Sequence, residues 1–236
     1  MENKLLLEDG YLKSLGFWLD AQPLYSWQIQ GIRPEHAAIL VVDMTNGFCC
    51  EGTLASPRVK RLIPPIVEFL RSAWGAGVRH IFLLNDEHDE NAVEFGAFPA
   101  HCVAGTPEAE PVAEIKTLPF FEKLKTIPKN SLAAEINTSF LKDVSAQQEI
   151  THFFVVGNCT DLCVYQAAMF LRLSANAYQM QDRHVIVPGN CVDTYDFPVS
   201  AATQAGAIAH PGDMINAIFL QHMALNGIEV VREVKF

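Results

Sequence analysis

Cys163 sits in Gly157-Asn158-Cys159-Thr160-Asp161-Leu162-Cys163-Val164, where an apolar run gives way to a helical pattern. Thr160 or Asp161 suits a helix N-cap, which would put Cys163 in the first helical turn. Free N–H groups and the positive end of the helix dipole favour a thiolate there, and such N–H groups are half of an oxyanion hole. The competing reading is a buried, inert thiol. Asp43 ends another apolar run and opens Asp43-Met44-Thr45-Asn46-Gly47-Phe48. A carboxylate at that point can take a proton from a thiol and return it to a leaving amine. By itself it reads first as a strand-end acid in solvent or a cap of the following turn. Lys129, in Ile127-Pro128-Lys129-Asn130-Ser131, is expected in a loop. Its apolar flanks allow it to point inward, where it would stabilise a nearby thiolate.

Asp86-Glu87-His88, followed by His101 in Phe98-Pro99-Ala100-His101-Cys102, is a candidate metal constellation, with Glu94 as a fourth ligand. Two neutral imidazoles and a carboxylate suit Zn, Fe or Mn with positions open for water or substrate. The alternative is a pair of polar loop histidines that never meet.

These residues need a scaffold that brings them together. Short apolar runs at 37–42, 79–84, 151–156, 185–187 and 228–231 read as strands buried on both faces. Helical spacing covers 57–76, 161–180 and 211–225, with Gly77 and Gly227 as stops. Strand and helix in alternation predict an α/β fold: three α/β/α layers around a mostly parallel central sheet. Ligands bind at the carboxyl ends of such strands, so Asp43, Asp86 with His88, and Asn158 to Cys163 are expected to share one crevice. The long irregular stretch 85–150 is of the kind that carries function. Residues 1–35, with Tyr11, Phe17, Trp18, Tyr25 and Trp27, form an extension expected to pack on the 36–236 domain or on a neighbouring subunit.

The 236 residues are 50% apolar and 19% charged, enough for a large core. A net charge of −10 disfavours non-specific nucleic-acid or anionic-membrane binding and favours a small-molecule site. No run is long enough to span a membrane, and the first residues lack a secretion-signal pattern, so a cytoplasmic location is expected. Six cysteines are too sparse here for a disulfide framework.

Four segments together resemble the isochorismatase-like cysteine hydrolases, nearest to the metal-containing nicotinamidases, from about residue 36 onward. They are Asp43-Met44-Thr45-Asn46-Gly47-Phe48 with Glu51-Gly52, then Phe98-Pro99-x-His101-Cys102-Val103-x-Gly105-Thr106-Pro107, Lys129-Asn130-Ser131, and Gly157-x-Cys159-Thr160-Asp161-x-Cys163-Val164. The resemblance implies a nucleophile at Cys163, a proton shuttle at Asp43 and an electrostatic partner at Lys129. It implies a cis Asn158–Cys159 peptide, with the N–H groups of Cys159 and Cys163 as the oxyanion hole. Asp86, His88 and His101 match metal ligands, with Glu94 where some members use an acidic fourth. The implied metal is Zn in the first place, with Fe or Mn as alternatives. Phe48 and Phe98 match aromatic walls of the substrate site. The implied activity is hydrolysis of a nicotinamide-like carboxamide through a thioester, in a homo-oligomer.

The sequence departs from nicotinamidases after the Asp-x-His pair, where Asp89-Glu90-Asn91-Ala92-Val93-Glu94-Phe95 lacks the usual His and Ser-Phe. Asn158 stands where those enzymes usually have an apolar residue. Open alternatives are a metal-free amidase acting on a ureido or carbamoyl compound, an isochorismatase-type hydrolase, and a non-catalytic binding protein on the same fold. His36, His80, His152, His184, His210 and His222 are expected to be edge or satisfied, partly buried residues. Cys49, Cys50 and Cys191 are expected to be packed thiols. Asp193 and Asp196 are left between the crevice and the surface.

Overall fold

A computed structural model describes residues 9–145 and 149–236. The first eight residues, read above as lacking a secretion signal, lie outside the described residues. Among the described residues there are eight strands: β1 (Leu24–Ser26), β2 (Ala37–Val42), β3 (His80–Asp86), β4 (Lys125–Lys129), β5 (His152–Gly157), β6 (His184–Pro188), β7 (Glu229–Val231) and β8 (Glu233–Lys235). The helices are α1 (Asp9–Asp20), α2 (Trp27–Gln30), α3 (Asn46–Cys49), α4 (Pro57–Lys60), α5 (Ile63–Gly75), α6 (Ala113–Lys116), α7 (Cys163–Ala177), α8 (Val199–Ala205) and α9 (Gly212–Leu225).

Six strands form one parallel sheet in the order β4-β3-β2-β5-β6-β7. Its central strand β2 is buried along its whole length because successive side chains serve different layers. Ala37, Ile39 and Val41 face a core shared with α5 and α6, while Ala38, Leu40 and Val42 face one shared with α7 and α9. The three-layer expectation therefore holds. No helix among the described residues is long and apolar enough to cross a membrane.

The pattern expected over 57–76 is split into α4 and α5, with Pro64 and Pro65 at the start of α5, where proline is tolerated. Lys129 does not lie in a loop. It ends β4, an edge strand in which Pro128 is admissible because one side needs no ladder partner. From the extension, β1 pairs in parallel with β8, and the Tyr11 hydroxyl of α1 donates to Gln221 of α9 at 2.7 Å. Trp27 stacks on Phe236 and lies against Phe154, so its ring is buried within the same core as β2.

Candidate active site

The carboxyl ends of four adjacent strands deliver the chemistry-bearing residues side by side. Lys129 ends β4, Asp86 ends β3, Asp43 follows β2, and Asn158 follows β5. Register places Asp86 opposite Lys129 and Val42 opposite Gly157. Gly157 has φ +118, and a Cβ there would meet the Val42 carbonyl oxygen at 2.0 Å, so the crossing of β5 past β2 requires glycine. Asp43 itself has φ +51, a region Asp enters more readily than most residues. Its backbone is fastened by the Asn158 side chain, whose Nδ2 donates to the Asp43 carbonyl at 2.6 Å.

Lys129, 1% exposed, binds these strand ends together. Its Nζ lies 2.9 Å from Asp43 Oδ2, donates to Asp86 Oδ1, and donates to Cys163 Sγ at 3.4 Å. Reactive atoms of Asp43, Asp86 and Cys163 all lie within 4.8 Å of one another. Two carboxylates and one ammonium leave the cluster one negative charge in excess. Burial, then Asp43 and Asp86, push the Cys163 thiol well up, against the opposing pull of Lys129. Burial and the two carboxylates thus oppose the thiolate that the helix terminus and Lys129 favour. Burial and then Asp86 raise the Asp43 carboxyl to about 6, although Lys129 and Cys163 oppose the rise. Burial would also raise Asp86, but Lys129 and the nearby His101 and His88 imidazoles overcome it and hold that carboxyl low.

The turn before Cys163 also differs from the capping expectation. Leu162 occupies the N-cap position and no side chain caps the helix. The Asn158–Cys159 peptide is cis. The N–H groups of Cys159 and Cys163 have no hydrogen-bond partner among the described residues, leaving both available to an oxygen anion.

Asp86, His88 and His101 do meet: their ligating atoms lie within 4.8 Å of one another. His88 Nε2 is 3.5 Å from Asp86 Oδ2 and 3.9 Å from Glu94 Oε1, and His101 Nε2 is 3.6 Å from Asp86 Oδ2. His101 Nδ1 donates to the Pro99 carbonyl at 2.8 Å, and His88 Nδ1 lies 3.0 Å from Asn130 Oδ1. Both rings therefore turn Nε2 toward the same point. Asp86 Oδ2, His88 Nε2 and Glu94 Oε1 are buried with no hydrogen-bond partner. Such a set of unpartnered donors fits a divalent cation. Phe48 and Phe98 flank His101 at ring distances of 5.4 and 6.4 Å. Phe95, which the sequence reading missed, stands 5.3 Å from His88 and 5.6 Å from His101. A cavity of about 410 Å³ opens beside His101, lined also by Glu51, Gly52, Ala100 and Glu108.

Elsewhere, Cys50 is exposed rather than packed, whereas Cys49 and Cys191 are buried. Asp193 pairs with Arg58 at 2.6 Å, and Asp196 accepts from the Gly212 N–H at 2.8 Å.

A parallel sheet in this strand order, with a cysteine, a carboxylate and an ammonium at its carboxyl edge, defines a class, and the chain belongs to the isochorismatase family. The family model described as "Isochorismatase domain" matches residues 37–210. Among particular relatives, the chain is similar to Nicotinamidase 1 of Arabidopsis thaliana, 26% identical over 224 residues that cover 86% of this chain and 88% of that one. It is similar also to the nicotinamidase/pyrazinamidase of Mycobacterium tuberculosis, 29% identical over 143 residues, or 56% of this chain and 76% of that one. A solved neighbour is the pyrazinamidase of Pyrococcus horikoshii in complex with zinc, with TM-score 0.63, 25% identity, and coverage of 84% of this chain and 99% of that one.

Proposed function

We propose that the chain is a cysteine hydrolase that cleaves a small, nicotinamide-like carboxamide to the acid and ammonia through a thioester. The observation that carries this reading is the contact of one buried ammonium, Lys129, with both Asp43 and Cys163. The names of the nicotinamidase relatives support the substrate class. Glu51 and Glu108 beside the cavity favour a neutral amide over an anionic one.

In this scheme Cys163 Sγ attacks the amide carbon while its proton passes to Asp43. The proton moves within the cluster, so sulfur gains charge as Asp43 loses it and the net charge next to Lys129 is unchanged. A carboxyl raised to about 6 accepts that proton more readily than an ordinary Asp. The oxyanion forms against the N–H groups of Cys159 and Cys163. The C–N bond then breaks, Asp43 returns the proton to nitrogen, and ammonia leaves. Water attacks the thioester as Asp43 takes its proton, the C–S bond breaks, and the proton returns to sulfur. Asp86, His88, His101 and Glu94 would hold a divalent metal, zinc before iron or manganese, which supplies a Lewis-acid anchor that orients the substrate.

The test is ammonia release from nicotinamide and from a small ureido panel, by the parent and by Cys163→Ala. The variant is expected to lose turnover while keeping its unfolding midpoint and metal content. Turnover at the parent rate would end the proposal. A parent active only on ureido compounds would transfer the same chemistry to that class. His101→Ala is expected to lose bound metal, read by elemental analysis.

A further inference from the structure

Asp161 lies between Cys159 and Cys163, and the scheme above assigns it nothing. Its Oδ1 accepts from the Thr194 hydroxyl at 2.5 Å and its Oδ2 accepts from His210 Nε2 at 2.9 Å. His210 Nδ1 lies 3.0 Å from the Tyr195 carbonyl oxygen, and the imidazole stacks on the Tyr195 ring with centroids 3.8 Å apart. The side chains of His210 and Asp161 are 13% and 8% exposed. The turn that carries the two cysteines has few ties of its own. Leu162 and Val164 both donate to the Cys159 carbonyl, and no side chain caps α7. Its orientation rests on segment 193–195, to which it is joined by Thr160 N–H on the Asp193 carbonyl at 3.1 Å and by the Asp161 contacts. That segment is itself clamped by Arg58, which donates to the Thr194 carbonyl at 3.0 Å and to Asp193 at 2.6 Å.

We infer that Asp161 and His210 are positioning residues that hold the 159–163 turn with its two N–H groups aimed at the developing oxyanion. This rests on the hydrolase reading. Oxyanion donors work by preorganisation, so a small rotation of the turn weakens transition-state contacts while barely touching ground-state binding. Neither residue lines the cavity beside His101.

The experiment compares the parent with His210→Phe, which keeps a stacking ring but no donor, and His210→Gln, which keeps a donor toward Asp161. His210→Phe is expected to lower kcat about tenfold or more with KM within about twofold, and His210→Gln to restore most of it. Amide hydrogen exchange of the 159–163 segment is expected to quicken in His210→Phe while that of β2 and β5 stays slow. Should His210→Phe fold poorly, Asp161→Asn is read by the same two measurements. Parent kcat in folded His210→Phe, or unchanged exchange of the turn, overturns the inference. A loss that falls on kcat and KM alike, or that His210→Gln does not relieve, also overturns it. A parent inactive on every amide tested defeats the hydrolase reading, and the exchange arm then judges the turn alone.

Discussion

The carboxylate of Asp43 and the backbone of Asp86 are directly joined: Asp43 Oδ1 accepts the Asp86 N–H at 2.7 Å. One strand end thus orients the group proposed to move protons and, through the next strand, the first of the proposed metal ligands. Lys129 closes the same triangle from β4 by touching both carboxylates.

Replacing Lys129 with Met is expected to leave two buried carboxylates without their counter-charge. Breaking a buried charge pair from one side costs about 3 to 5 kcal/mol. Urea unfolding of Lys129→Met should show a loss of that order, together with loss of amidase turnover. A midpoint near the parent's would mean that one carboxyl takes up a proton at little expense.

Asn130 is expected to govern metal affinity without touching the ion. Its Oδ1 receives His88 Nδ1 and the Asp89 N–H, and its Nδ2 donates to Asp89 at 2.6 Å. Removing such a support typically weakens a site about 10- to 100-fold. Competition of Asn130→Ala against a chromophoric chelator measures this. Equal affinity in parent and variant would show that His88 is held by its other neighbours.

Gly157→Ala is expected not to give a stable fold. The added methyl would lie 2.0 Å from the Val42 carbonyl oxygen and 2.8 Å from the Val42 amide nitrogen, both backbone atoms of the central strand. Strain of that size, added to a φ of +118, should cost more than about 3 kcal/mol. Soluble yield and the thermal midpoint report it.

Acid sensitivity is expected from the amino-terminal end of the sheet. His152 on β5 stacks on His184 of β6 with centroids 4.6 Å apart, and its Nδ1 lies 2.8 Å from the Thr151 hydroxyl. Burial, then His184 and His36, lower its pKa from 6.5 to about 4. The unfolded chain therefore binds this proton at a pH where the folded chain does not, so stability falls as pH drops from about 6.5 toward 4 and levels off below. Urea midpoints at pH 7 and pH 5 should differ less in His152→Asn than in the parent. An identical difference in both would assign the sensitivity to other groups.

The scaffold was largely legible because a sheet covered on both faces needs unbroken apolar strands, and β2, β3, β5 and β6 supply them. Strand β4 was not legible: Lys125-Thr126-Ile127-Pro128-Lys129 has only Ile127 as an apolar signature, since an edge strand escapes two-sided burial. The site residues were readable as types at strand ends, and their order along the chain carried the resemblance. The upward push on the Cys163 thiol was not readable, because it comes from burial and from two carboxylates that converge on it only in space. His210 was set aside as a satisfied histidine. It is satisfied, but its partner Asp161 is almost fifty residues away along the chain, and no local pattern links them.

The pairing of β1 with β8 has a consequence for biosynthesis. Tyr25 and Trp27 are made long before Phe154 and Phe236, the rings they finally rest against. On the ribosome these side chains wait without their full native cover while residues 28–236 are translated, a delay that leaves apolar surface open to self-association. Their native cover is complete only once Phe236 has been made, and it joins the 24–27 segment to the 233–236 segment.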